Sequence, residues 1–229
     1  LFRSPLQAAA EVGKINGAVQ GGPADPGAPS GLGGVRGLIA DAASRAGVDP
    51  KTALTIAAIE TGGRFNADAA NPKSSARGVF QFMDATRKMF PEVTPEQWQD
   101  PKVQAEYGAK FIAQTNASMA KYLGRQPSTS EAYMGHLLGA FGAAKVLTAD
   151  PALPVRDVIA QYDPKRADEI VRLNGMKDMS AGDAVAKWQS VAQRAQDRLG
   201  VEESAFPFTD QKAAQMRVAA AAREGQALE

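Results

Sequence analysis

The chain contains no cysteine and a single histidine. Without thiols there is no disulfide framework and no thiolate zinc site. One imidazole and no H-E-x-x-H motif leave no material for a catalytic metal centre, so no metal or cofactor is expected. An excess of one charge is missing too. The 26 Lys and Arg residues stand against 25 Asp and Glu, a net charge of +1. Nucleic-acid binding needs a basic field that this balance does not supply. No apolar run approaches the ~18 residues of a membrane-spanning helix. Sustained alternation of apolar and polar residues is also lacking, and Val79-Phe80-Gln81-Phe82 predicts one short extended piece at most.

What remains is a helical protein of 229 residues with one sizeable core and two tails. Residues 1–33 are rich in Gly, Pro and Ala around positions 17–34, a composition that buries too little to offset ordering, and read as a flexible linker. Residues 34–205 carry helix signals in quick succession and read as one all-α domain. Residues 206–229 read as an Ala-rich helical tail with a thin apolar face. The opening Leu1-Phe2-Arg3 lacks a signal-peptide pattern and suggests a piece of something longer, and Leu228-Glu229 a cloning scar.

The helix signals are specific. Apolar spacing predicts a helix over 35–46, stopped at Gly47. Asp49-Pro50 caps a helix over 50–60 that Gly62 and Gly63 end. Asp84 reads as the cap of a short helix. Thr94-Pro95-Glu96-Gln97 is a capping box. Asp100-Pro101 opens a long helix to about Leu123, with Val103, Tyr107, Phe111, Ile112, Thr115 and Met119 on its apolar side. Residues 128–130 cap a helix through Tyr133 that Gly139 and Gly142 break. Helices over 155–161, 164–174 and 180–199 follow. Trp98 and Trp188 read as core.

Glu60 is the most informative residue. It ends the apolar run Ala53-Leu54-Thr55-Ile56-Ala57-Ala58-Ile59, in the last turn of a mostly buried helix. The negative end of the helix dipole and an apolar setting both disfavour its ionisation. A carboxyl held protonated near neutral pH is what a general acid needs. The competing reading is a solvated glutamate at a helix end.

Downstream come Ala76-Arg77-Gly78-Val79-Phe80-Gln81-Phe82-Met83 and, much later, Ala132-Tyr133-Met134-Gly135-His136. An E-[ST]-x-x-x-F segment, then A-x-G-x-x-Q-x-M, then A-Y-x-x-[GH] resembles the lytic transglycosylases of the goose-type lysozyme superfamily, especially the bacteriophage virion-associated versions. The resemblance covers about residues 35–199. It implies a lysozyme-like fold and cleavage of the MurNAc-GlcNAc β-1,4 bond in peptidoglycan glycan strands. It also implies a single acid, Glu60, in place of the usual two carboxyls, and 1,6-anhydromuramoyl ends. A goose-type hydrolase on the same fold and a catalytically silent wall-binding or structural module are the rival readings.

The same resemblance suggests substrate-binding roles, each beside a plainer one. Thr61 stands where the family has serine, for a glycan hydrogen bond or one to its own backbone. Gly78 lets backbone pass close to a sugar, and the Gln81 amide suits an acetamido group. Phe80 is a stacking wall or a buried aromatic. Tyr133 would hydrogen-bond and orient Glu60, or serve as a core tyrosine. His136, where the family's commoner motif has glycine, lies near the acid to bind substrate or is structural. Phe65, Phe82 and Met83 read as packing under the cleft. The implied partners are peptidoglycan and the rest of a larger virion or secretion-machine protein. The implied location is the virion or the periplasm and cell envelope.

Overall fold

An apolar helix with no wet face can only sit at the centre of a bundle. That is the position of the helix carrying Glu60, in which Thr52 to Ala58, Glu60 and Thr61 are all buried. The computed structural model describes residues 33–72 and 74–200. The expected tails lie outside them, apart from Gly33. In chain order the helices are α1 (Gly34–Arg45), α2 (Pro50–Thr61), α3 (Asp84–Arg87), α4 (Pro101–Leu123), α5 (Thr129–Thr148), α6 (Val155–Ala160), α7 (Ala167–Leu173) and α8 (Ala181–Leu199). A 3-10 turn, Gln97–Gln99, precedes α4. Among the described residues there is no strand; isolated bridges pair Arg77 with Ala70 and Phe82, and residues 78–81 between them form a turn with Gln81 left-handed (φ 49°), not the extended piece expected over 79–82. The all-α, lysozyme-like expectation holds.

The central helix packs against α1, α4, α5 and α8, while α4 and α5 form the broadest pairing. Its start and stop follow the sequence. The Asp49 side chain accepts from the Lys51 N–H, and Gly62 takes a left-handed conformation (φ 61°). The buried threonines are satisfied locally. Thr55 donates to the Lys51 carbonyl at 2.6 Å, and Thr52 shares a 2.8 Å hydrogen bond with Thr129 of α5.

Beyond the centre, α4 uses the same device: Asp100 caps it by accepting from the Lys102 N–H, and Gly124 ends it. Its buried face is Gln104, Ala105, Gly108, Ala109, Phe111, Ile112 and Met119. That face is rotated from the expected stripe, leaving Val103, Tyr107 and Thr115 half-buried. The capping box of α5 is Ser128 with Glu131, which Arg125 also grips. The helix then breaks at Gly139 (φ 73°, ψ 163°). On α8 the residues Ala184, Trp188, Ala192 and Ala195 make one buried stripe.

Two further expectations need correction. Asp84 does not cap α3; Met83 holds the cap position and Asp84, inside the first turn, pairs with Arg87. Trp98 is only half-buried, because it sits in the loop before α4 and not inside the bundle. Trp188 is buried as expected.

The close approach of α4 to the 77–82 segment depends on one glycine. A Cβ on Gly108 would lie 2.1 Å from the Phe80 ring, which is itself buried. Replacing Gly108 with alanine gains about 1 kcal/mol of helix propensity, yet overpacking a rigid core costs about 1–3 kcal/mol. The Gly108→Ala variant is expected to unfold at lower denaturant concentration than the parent. A midpoint above the parent's would contradict this packing.

Candidate active site

Glu60 reaches its position because α2 stops immediately after it. Gly63 donates to the Ala58 carbonyl at 2.7 Å, folding the chain back over the last turn. Thr61 then clasps the turn from both sides. Its hydroxyl donates to the Ala57 carbonyl at 2.7 Å and accepts from the Phe65 N–H at 3.0 Å. Phe65 pays for this with a left-handed backbone (φ 53°), rare for an aromatic residue.

The carboxyl points inward, with 1% of the side chain exposed. Two groups from the first half of α5 meet it. The Tyr133 phenol is near enough to favour its ionised form. His136 brings Nε2 to 3.6 Å from Glu60 Oε1, too long for a hydrogen bond. Burial pushes the Glu60 pKa up to about 8, against a smaller opposing pull from Tyr133. Burial pushes the His136 pKa down to about 4, partly offset by the Phe80 backbone. At neutral pH the pair is therefore a neutral acid beside a neutral imidazole, not an ion pair. The solvated-glutamate reading fails on this burial. Tyr133 is also raised well above its ordinary value by burial and then by Glu60, so it stays a donor.

His136 is fixed by rings. Phe82 and Tyr133 lie roughly parallel to it at 6.3 and 6.2 Å between centroids, and Phe111 of α4 meets it edge-on at 6.0 Å. Three buried polar atoms in this neighbourhood or the adjoining loop lack a hydrogen-bond partner: Glu60 Oε1, His136 Nδ1 and Gln81 Oε1. Unpaired buried polar atoms are costly.

Four expected substrate-binding residues are engaged by the framework. Gln81, also left-handed (φ 49°), donates through Nε2 to the carbonyls of Gly78 at 2.8 Å and Ala69 at 3.2 Å. Gly78 (φ 77°) leaves room for Gln104; a Cβ there would meet Gln104 Oε1 at 2.5 Å. Phe80 is buried against Gly108. Thr61 has both its hydrogen-bonding directions filled. The structure therefore brings Glu60, Tyr133 and His136 together and sets the other four around them as supports.

Gln104 is the residue that sequence reading passes over. From α4 it accepts from the Val79 N–H at 2.9 Å and donates to the carbonyls of Ala67 and Trp98 at 3.0 and 2.9 Å. One side chain thus ties three loops beside the acid. Its only sequence signal is a glutamine on the inward face of a helix. An open cleft of about 670 Å³ adjoins these loops, with Phe80, Phe82 and Trp98 among its lining. Glu60 does not line it; Phe82 is the link, since its ring borders the cleft and stacks on His136.

Residues 37–142 match the family model of the Transglycosylase SLT domain. The match begins in α1 and ends in α5, so it takes in Glu60, the 76–83 loop, Tyr133 and His136. This stretch is similar to a domain whose name implies transglycosylase activity on peptidoglycan.

The two shifted groups make stability depend on pH in opposite senses. Glu60 releases its proton at about 8 in the folded chain and near 4.5 when unfolded. Its burial is tolerated fully below pH 4.5, and the advantage is lost as pH rises to 8. His136 binds a proton at about 4 folded and near 6.5 unfolded. Its contribution is complete above pH 6.5 and is lost as pH falls toward 4. Glu60→Gln removes the first slope only. Its Tm relative to the parent should be higher at pH 8.5 than at pH 4.5 by about 2 °C or more. The same offset at both pH values in thermal melts would rule out a carboxyl with this titration.

Proposed function

We propose that the chain is a peptidoglycan lytic transglycosylase in which Glu60 is the one acid and base. The observation that carries this reading is the buried carboxyl at the end of α2, with its pKa raised by burial and its place beside His136 and Tyr133. The matched SLT domain supports the substrate class.

The chemistry follows from that carboxyl. Glu60 gives its proton to the bridging oxygen as the bond from the muramic acid C1 to that oxygen breaks. The acetamido group of the same sugar stabilises the positive charge at C1. The C6 hydroxyl of that sugar then attacks C1, and its proton passes to Glu60. One bond is broken, one ring is closed, and the acid ends as it began. No water is activated, so no second carboxyl is called on. Burial and the Tyr133 phenol are what act on Glu60, which supports a single-acid route over a paired-carboxylate one. The neutral imidazole of His136 fills the space beside Glu60 without the charge that would draw the proton away.

The setting we infer is a segment of a larger phage virion or cell-envelope machine that opens the wall locally. The histidine in the tyrosine motif favours the virion.

Removing a general acid costs about 10²–10⁴-fold in rate. Glu60→Gln is expected to lose at least that much glycan cleavage while keeping the helical circular-dichroism signal. Equal wall clearing by variant and parent would put the acid elsewhere, and no clearing by either would point to a wall-binding module. Mass spectrometry of the parent's products should show muramoyl ends lighter by one water than hydrolysis gives. Reducing ends would establish a hydrolase instead. Because the acid must start protonated, cleavage should fall as pH rises through about 8. A rate still climbing at pH 9 would exclude Glu60 as the donor.

A further inference from the structure

Helix α8 lies outside the residues matched to the transglycosylase domain, yet it packs on α2 and α5, the helices that carry the acid and its neighbours. Its buried residues are Ala181, Ala184, Trp188, Ala192 and Ala195. The alanines let the helix approach closely, and Trp188 is the one large side chain among them.

That side chain meets Tyr133 edge-on. The ring centroids are 5.6 Å apart and the planes 75° from parallel, a favourable aromatic arrangement. Tyr133 in turn lies along His136, 6.2 Å away and 15° from parallel. Rings of two orientations therefore locate the phenol that acts on Glu60. No hydrogen bond fixes the indole, because its Nε1 has no partner. Lys187 Nζ lies 4.5 Å from the Trp188 ring and donates to the carbonyls of Asn174 and Gly175, each at 2.7 Å. Packing and ring contacts hold the indole, and one ammonium group braces the turn after α7 against it. Glu60, Tyr133, His136 and Lys187 are the titrating groups along this line of contacts.

We propose that Trp188 is a positioning residue, which holds the Tyr133 ring in its place beside Glu60 and acts on the acid only through that phenol. Its value for glycan cleavage rests on the transglycosylase reading. With 2% of its surface exposed, Trp188 touches no sugar itself. Small displacements matter at such a site, since about 1 Å of misplacement caused from a distance can cost about 10²-fold in rate.

The test asks whether Trp188 and Tyr133 act as one. In the full chain, the Glu60 carboxyl is followed by carbon-13 NMR of labelled glutamate, its signal identified by its absence from Glu60→Gln. Tyr133→Phe is expected to raise the Glu60 pKa, because the phenol pulls it down. In a Trp188→Leu chain the same replacement is expected to move it by less than about half as much, as coupled neighbours do. Trp188→Phe keeps a ring and loses no hydrogen bond, so it should restore the full effect. If Trp188→Leu does not fold, Trp188→Met takes its place, a flexible side chain that fills irregular space. An equal shift with and without Trp188 makes the indole a filler of the core and overturns the proposal. So does the absence of any shift on Tyr133→Phe. In cleavage assays Trp188→Leu should lower kcat about tenfold or more and leave KM within about twofold. A raised KM with unchanged kcat overturns the proposal. If the NMR coupling is found while the parent chain leaves glycan strands uncut, Trp188 keeps its role and the transglycosylase reading falls.

Discussion

A carboxyl group kept away from water is the constraint around which this structure is arranged. Burying Glu60 is unfavourable once it ionises, so the surrounding elements must hold it in place without supplying a counter-charge. They do so with neutral groups. Tyr133 and the uncharged ring of His136 stand beside it, and Phe82 and Phe111 hold that ring in place. A lysine or arginine in place of any of them would lower the carboxyl's pKa and remove its value as a proton donor.

The supports of this arrangement are backbone and amide contacts between segments far apart in sequence. Gln104 holds residues 67, 79 and 98, while Gln81 holds 69 and 78. Two residues in strained left-handed conformations, Phe65 and Gln81, are kept there by these bonds and by the Thr61 clasp. Strain of this kind persists where surrounding structure over-determines it. The loops beside the acid are therefore rigid for a reason that no helical propensity would reveal.

The helices were legible because their ends are written locally. Asp49-Pro50, Asp100-Pro101 and Ser128 with Glu131 mark starts, and Gly62 and Gly124 mark stops. The unbroken apolar character of α2 also placed Glu60 in the interior. The jobs of Thr61, Gly78, Phe80 and Gln81 were not legible in the same way. Each can face a ligand or the framework, and the outcome turns on partners four residues away for Thr61 and 12 to 28 away for Gln81, Gly78 and Phe80. Trp98 and Gln104 show the same limit. A tryptophan at helical spacing reads as core, yet its loop turns one face to a cleft. A glutamine on an inward helix face carries no marker of the three loops it binds.

The Thr61 hydroxyl makes both bonds of the clasp beneath the acid. The added methyl restricts the torsion about the Cα–Cβ bond to fewer wells. A serine hydroxyl would surrender more torsional freedom to make the same two bonds. Branching at this single carbon therefore lowers the entropy lost in forming the turn, and the seat of the acid is set by the chain alone.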